Sequence, residues 1–368
     1  GRLRKKWGFK GYVSSDSGAI KDIYDSGAHG ESTTFHVNAT QGVALAVKAG
    51  CDVDSGSWIK DQPWSTSSPY LENMPASIKE GLMTEKDVDA AMVNSLGLRF
   101  RLGLFDPIEK QPYWHIAPEV VRSPEHEAAA LDATLQSMVL LKNKRNVLPL
   151  NKNSKVAVVG PLADAKKVLI GNYYGEICPN ETFGCVTSPL QAIEKVVGSA
   201  HVQYAAGLAD VSDNRTSGIP AAVSAAKSSD VTILFIGLDT SIEREGHDRH
   251  SITLPGAQLQ LAKELQATGT PLVVVLINGG MVAIDWISHN TDTIVEAFYP
   301  GFYGGTALAR LLFGQENRWG KLPVTIYGES YTEEFDMLDF NMAKPPGRTY
   351  RYYTGGSTLF PFGTGLSY

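Results

Sequence analysis

Short continuous apolar runs alternate along this chain with stretches of helical period. The runs are clearest in the second half, at Val156–Val159, Val202–Ala205, Val231–Gly237, Leu272–Ile277 and Thr293–Phe298. Val, Ile and Leu dominate most of them, and continuous rather than alternating runs predict strands buried on both faces of a parallel sheet. Between the runs lie helical patterns at Pro189–Val197, Pro220–Lys227, Pro255–Gln266 and Gly304–Phe313. Several open on proline, whose missing N–H costs little in a first helical turn. An earlier helix is expected to begin at Ser123-Pro124-Glu125 and run to about Leu141. This alternation predicts a doubly wound α/β sandwich with a mostly parallel sheet over residues 123–330.

The first 105 residues show a shorter version of the same alternation. Tyr12 and Val13 read as a buried strand that leads into Ser14, Ser15, Asp16, Ser17 and Gly18. A helical stretch from Ile20 to Ser26 and a loop rich in Gly and Ser follow. Asn38–Ala49 has an apolar face of Val43, Ala44, Ala46 and Val47, and Gly50–Asp54 reads as a second short strand. Helices are predicted over Pro69–Glu80 and from Thr84 to Arg101, the latter with Val88, Met92, Leu96 and Phe100 four apart. Strand–helix–strand–helix is the repeat of an α/β barrel, but eight such units need about 250 residues. The expectation is therefore an α/β fold in two parts, the C-terminal fragment of a (β/α)8 TIM-like barrel and then the sandwich. Residues 106–122, with several prolines and no period, are expected to link them, and 331–368 to lead onward.

Composition narrows the function classes. A net charge of −6 over 368 residues leaves no basic footprint for nucleic acid. No apolar stretch approaches the ~18 residues of a membrane span. Arg2, Arg4, Lys5 and Lys6 are not followed by an apolar segment, so they do not read as a signal peptide. The immediate start on a strand, and the strand-like run Phe360–Tyr368 at the other end, predict a stretch of a longer chain. Cys51 is expected to be a buried thiol. Cys178 and Cys185 flank a turn-rich loop and are either a local disulfide or a pair of free thiols. Asn38, Asn180 and Asn214 stand in Asn-x-Thr sequons, which with the cysteine pair point to a secreted or lumenal protein. Gly160-Pro161 does not make a dinucleotide-binding Gly-x-Gly-x-x-Gly.

Two carboxylate-bearing stretches carry the candidate chemistry. Asp16 stands at a strand's end, where it either caps the next helix or projects a carboxylate toward a ligand. The second is Glu243-Arg-Glu-Gly-His-Asp-Arg249, dense in ionisable groups just beyond the strand Val231–Gly237. Taken alone it is either a solvated loop or a ligand site at the carboxyl end of a parallel sheet.

Both stretches resemble segments of the family-three glycoside hydrolases. Gly8-Phe-Lys-Gly-Tyr-Val-Ser-Ser-Asp16 is similar to that family's nucleophile segment, and Glu245-Gly-His-Asp-Arg249 with Leu254-Pro255 to its acid/base loop. Arg101-Leu-Gly-Leu-Phe-Asp-Pro107, Val139-Leu-Leu-Lys-Asn143, Gly320-Lys-Leu-Pro-Val-Thr325 and Phe360-Pro-Phe-Gly-Thr-Gly-Leu-Ser-Tyr368 follow in family order. The last resembles the run that leads into a fibronectin-like domain. The resemblance implies Asp16 as nucleophile and Glu245 as acid/base, with Glu243 as the alternative, in a cleft between the two domains. It also makes Tyr173, Tyr174 and Ser17 candidate substrate contacts, although core packing is an equal reading for the tyrosines. Ser17 and Ser55 stand where the xylosidase and arabinofuranosidase branch carries cysteines. Ile242-Glu-Arg-Glu245, Gly171-Asn-Tyr-Tyr-Gly175 and Pro346-Gly-Arg-Thr-Tyr-Arg-Tyr352 look like that branch.

The implied activity is exo-acting, retaining hydrolysis of β-linked sugars from oligosaccharides, with carboxyl groups about 5–5.5 Å apart and no metal or organic cofactor. A β-xylosidase, with α-L-arabinofuranosidase activity as an extension, is the leading reading. A β-glucosidase and a non-catalytic carbohydrate-binding scaffold are the alternatives.

Overall fold

The computed structural model describes residues 2–25, 36–59, 62–336 and 338–368, with the backbone alone for 57–59 and 62–67. The Gly- and Ser-rich loop expected after Ile20–Ser26 lies outside them. The chain divides into two compact units, Gly1–Val120 and Val121–Tyr368.

In the first unit, the two expected strands are reduced to one step of a parallel ladder. Ser14 bridges Val53, the Ser15 N–H reaches the Val53 carbonyl at 2.9 Å, and the Asp52 N–H reaches that of Val13 at 2.8 Å. The ladder stops because a side chain takes the next donor: the Val13 N–H goes to the Asp52 carboxylate at 2.7 Å. Asp52 also pairs with Arg4 and accepts from Asn94 at 2.9 Å. Helices α1 (Ala19–Asp22) and α2 (Ala39–Ala49) follow, α2 opened by a capping box between Asn38 and Gln41. Strands β1 (Ser57–Ile59) and β2 (Gln62–Ser67) form an antiparallel pair that the hydrophobic pattern did not predict. Then come α3 (Pro69–Lys79) and α4 (Glu85–Arg101).

The core of this unit is small: Ile20, Val43, Ala44, Ala46, Val47, Tyr70 and Met83. Helix α4 turns Ala91 and Ser95 inward and keeps Val88 against the core, but leaves Met92 and Phe100 of the expected apolar face exposed. Asn94, bound to Asp52, shares that inward side. Cys51, expected to be buried, is a half-buried free thiol.

The second unit opens with α5 (Pro124–Ser137), capped by Ser123. The helix ends short of Leu141 because Val139–Asn143 forms strand β3 instead. An apolar run of that length suits either state, and here a sheet edge was available. The order continues β4 (Val156–Val159), α6 (Pro189–Val197), β5 (Val202–Ala205), α7 (Ile219–Lys227), β6 (Val231–Gly237), α8 (Gln258–Gln266), β7 (Leu272–Ile277), α9 (Asp285–Asn290), β8 (Thr293–Glu296) and α10 (Gly304–Leu312). A short antiparallel pair, β9 (Ile326–Tyr327) and β10 (Thr358–Phe360), brackets α11 (Thr349–Tyr352).

The six-stranded sheet runs β3-β8-β7-β6-β4-β5, parallel except for β3. Its two faces carry separate cores, one around Phe235, Ile193 and Leu311, the other around Leu234, Leu261 and Ile287. Strands β6 and β7 are buried at every position, which explains their continuous apolar runs. Among the described residues no helix is long and apolar enough to cross a membrane.

Candidate active site

Each carboxylate belongs to one unit and is described there. In the first, the step between Ser14 and Val53 brings two chain ends side by side, and Gly18 N–H to Gly56 O at 2.7 Å keeps them together. Asp16 lies just beyond that step. It is exposed, and among the described residues its Oδ1 accepts only the neighbouring Ser17 N–H, at 2.8 Å. Its carbonyl, not its carboxylate, meets the first turn of α1 through Ala19 N–H at 3.2 Å. The side chain is therefore left for solvent or ligand. Asp54, by contrast, is occupied, taking Ser68 Oγ at 3.1 Å and Tyr70 N–H at 3.3 Å at the start of α3. Ser17 is exposed, while Ser55 faces Ser15, with their hydroxyls 3.4 Å apart.

In the second unit, β6 ends at Gly237, whose φ of 144° only glycine adopts without strain. A Cβ there would lie 1.9 Å from the Ile277 carbonyl of β7. The buried Gln258 amide clamps this exit, accepting from Gly237 N–H at 2.8 Å and donating to its carbonyl at 2.9 Å. The charged loop starts from that fixed point.

Within the loop the two glutamates are held very differently. Glu243 turns inward. Its Oε1 accepts from Gly279 N–H at 2.6 Å and from Tyr299 Oη–H at 2.9 Å, its Oε2 accepts from Gly280 N–H at 3.1 Å, and Arg249 Nε stands 3.4 Å from Oε2. Arg249 also donates to the Met281 carbonyl at 3.1 Å. Burial, and then the charge of Glu243, push the Tyr299 phenol well above its ordinary range, so it remains a donor. The two glycines are required here, because a Cβ on Gly280 would meet Arg249 Nη2 at 2.4 Å and one on Gly279 would meet the Tyr299 ring at 2.8 Å.

Glu245 takes no part in this anchor. It occupies a corner of the tight turn closed by Arg244 and His247, whose backbones exchange hydrogen bonds at 3.0 and 3.3 Å. Gly246 supplies the positive φ of 68° that the turn needs. Glu245 is exposed and makes no hydrogen bond or ion pair among the described residues. Of the two residues expected to tie the loop down, Arg249 does so, and Asp248 stays exposed without an ion pair among the described residues.

The loop carrying Tyr173 and Tyr174 lies beside this anchor, since Gly171 sits within van der Waals distance of the Tyr299 ring. Tyr173 is 79% exposed, and core packing is excluded for it. Tyr174 is half-covered, edge-on to Phe183 at 5.5 Å. Phe183 belongs to a loop closed by a Cys178–Cys185 disulfide with a Cα separation of 5.8 Å, which decides between the two readings of that pair. A cavity of about 440 Å³, lined by Arg145, Pro149, Asp230, Thr270 and Asp292, opens among the loops before β4, β6 and β7. That is the end of the sheet opposite the glutamate loop, so it takes no part in this site.

The anchor of Gly279, Gly280 and Tyr299 was not anticipated. Its signal was present in Asn278-Gly279-Gly280 directly after the apolar run Leu272–Ile277, a point where a chain can pass close to a neighbouring loop.

Residues 138–368 match the family model described as the glycosyl hydrolase family 3 C-terminal domain, and residues 1–96 match that of the glycosyl hydrolase family 3 N terminal domain. The chain belongs to glycosyl hydrolase family 3. Beta-D-xylosidase 1 of Arabidopsis thaliana is 37% identical over 374 residues, covering 100% of this chain and 45% of the relative. Beta-xylosidase/alpha-L-arabinofuranosidase 1 of Medicago sativa subsp. varia is 35% identical over 379 residues, covering 100% and 45%. Among solved structures, a GH3 exo-beta-xylosidase (XlnD) in complex with a xylobiose aziridine activity based probe aligns with a TM-score of 0.84 and 32% identity, over 99% of this chain and 44% of that one. A beta-glucosidase from Listeria innocua in complex with isofagomine aligns at 0.79 and 26%, over 100% and 49%. The chain thus spans less than half the length of these relatives.

Proposed function

We propose that the protein is a retaining, exo-acting glycoside hydrolase that removes terminal β-linked xylose, a xylan 1,4-β-xylosidase with α-L-arabinofuranosidase activity as an extension. The observation that carries this reading is likeness along the whole chain, at 35–38% identity, to relatives named as xylosidases. Asp16 is the nucleophile and attacks the anomeric carbon, forming a covalent glycosyl-enzyme. Glu245 protonates the leaving oxygen and then takes the proton of the water that releases the sugar. The free carboxyl of Glu245 supports that assignment over Glu243, whose oxygens are engaged by Gly279, Gly280, Tyr299 and Arg249. Ser17 and the exposed Tyr173 contact substrate. The disulfide, together with exposed Asn38, Asn180 and Asn214, supports a secreted glycoprotein acting in xylan breakdown.

Release of p-nitrophenol from the β-xyloside, β-glucoside and α-arabinofuranoside by the whole protein tests the reading, with the β-xyloside turned over fastest. Preference for the β-glucoside would favour the second reading, which the likeness to Listeria β-glucosidases supports. No turnover of any of the three would leave a carbohydrate-binding scaffold, and full activity in Asp16→Asn would overturn Asp16 as the nucleophile. Azide restores turnover to Glu245→Ala and not to Glu243→Ala.

A further inference from the structure

Loops leave the carboxyl edge of the sheet from the neighbouring strands β8, β7, β6 and β4, and one side chain joins all four. Tyr299 stands on the first, just beyond β8 and the positive-φ turn at Phe298. Its hydroxyl donates to Glu243 Oε1, on the loop after β6, at 2.9 Å. One edge of its ring is received by two glycines. A Cβ on Gly279, in the loop after β7, would lie 2.8 Å from Cε2, and one on Gly171, in the segment after β4, would lie 3.3 Å from Cδ2. Gly171 has φ 78° and ψ −142°, open to glycine and strained for other residues. Beside it, Gly301 N–H fastens the loop after β8 to the Leu169 carbonyl at 2.7 Å.

A sheet fixes where each loop starts but not where its far end lies, so the ends need cross-links of their own. The Tyr299 ring packs on the core around Phe235 and Ile193 and gives them a fixed point. We propose that Tyr299 is a positioning residue with two separable parts. Its hydroxyl holds Glu243, and through it the turn that carries Glu245. Its ring edge holds Gly171, and through it Tyr173 two residues on.

Three substitutions separate the parts. Tyr299→Phe deletes one oxygen and keeps the ring edge. Glu243 then still has Gly279, Gly280 and Arg249, so its loop loosens without detaching. Tyr299→Ala deletes hydroxyl and ring together. Gly171→Ala works from the other side, keeping the hydroxyl on Glu243 while its new Cβ and its positive φ disturb the segment that bears Tyr173.

The proposal rests on the reading of Glu245 as acid/base and Tyr173 as a substrate contact, but its first test needs no substrate. The Ile242, Glu243 and His247 amides are hydrogen-bonded within their loop, so hydrogen exchange reports on its order. In the whole protein, Tyr299→Phe should speed exchange over residues 242–247 by about 10-fold and leave residues 168–175 as in the parent, whereas Tyr299→Ala should speed both. Equal behaviour of the two variants at 168–175, or parent-like exchange of 242–247 in Tyr299→Phe, overturns the proposal. On aryl β-xylosides, Tyr299→Phe should lower kcat by about 10-fold for poor leaving groups and little for activated ones, with KM unchanged, because a misplaced acid harms only reactions that need it. Tyr299→Ala and Gly171→Ala should raise KM by about 10-fold, the latter with the parent's leaving-group dependence. A tyrosine that served stability alone would lower the melting temperature and move neither readout. Parent-like leaving-group dependence in Tyr299→Phe therefore overturns the proposal, as does an unchanged KM in Tyr299→Ala. Absence of all turnover in the parent would sink the functional reading and leave the exchange test intact.

Discussion

The two units support their carboxylates to very different depths. Asp16 follows a single ladder step between Ser14 and Val53, over a core of a few residues around Val43 and Met83. In the same unit, Trp7 is 71% exposed, Phe100 66% and Trp114 66%. Glu245 is carried by a loop from β6, in the middle of a six-stranded sheet with a core on each face. That loop is tied back through Glu243 to β7 and to the turn after β8. The comparison teaches that a candidate catalytic group need not owe its position to its own neighbours in sequence. Asp16 follows one ladder step to Val53 and the turn after it, and Glu245 follows a glutamate held by two distant segments and by Arg249 of its own loop.

The largest expected effect tests the chemistry both units serve. Asp16→Asn in the whole protein should lower kcat/KM on p-nitrophenyl β-xyloside by about 10⁴-fold or more, because no covalent intermediate can form. Glu245→Ala should cost about 10²- to 10⁴-fold on substrates with poor leaving groups and much less on activated ones, since only the former need the acid. A uniform loss across leaving groups would break the division of labour.

Differences in support should appear in stability. Phe235→Ala, which empties a fully buried site in the sheet, should cost about 3–5 kcal/mol in denaturant unfolding. Met83→Ala in the smaller core should cost about 2 kcal/mol, at the low end for such truncations, because its thin surroundings can collapse into the space. Residues 121–368 produced alone should melt cooperatively by circular dichroism, whereas residues 1–120 should not. A cooperative melt of the first unit would end the contrast. Cys178→Ser with Cys185→Ser should cost a similar amount to the Met83 truncation, about 2–3 kcal/mol for so short a loop. The same pair should leave the Glu243 anchor, and hence kcat, largely intact.

What could be read in the sequence was whatever depends on continuous local pattern. The runs of β6 and β7 announced a parallel sheet because every position on them is buried, the capped start at Ser123 announced α5, and the helical pattern Pro189–Val197 announced α6. The cysteine pair left a disulfide and free thiols both open, and the order of short motifs announced the family. The pattern failed where two states bury the same residues equally well. Val139–Asn143 could extend a helix or start a strand, and only the open edge of β8 decided for the strand. It failed again on α4, where Asn94 reaching Asp52 turned small residues inward and left Met92 and Phe100 outside.

The candidate site divides along the same line. Asp16, Glu243 and Glu245 were visible as residue types in motifs, and their order along the chain belongs to the sequence alone. Which glutamate is engaged and which is free was decided by Gly279, Gly280, Arg249 and Tyr299. None of these has a spacing from Glu243 that a helix or strand period would reveal. Glu296 reads in sequence as one polar residue at the end of a strand, and only the strands on either side of it make it a buried carboxyl. The physical reason is common to all these cases. Local pattern records how much of each residue is buried, while the protonation and hydrogen bonding of a buried charge depend on what the rest of the chain places against it.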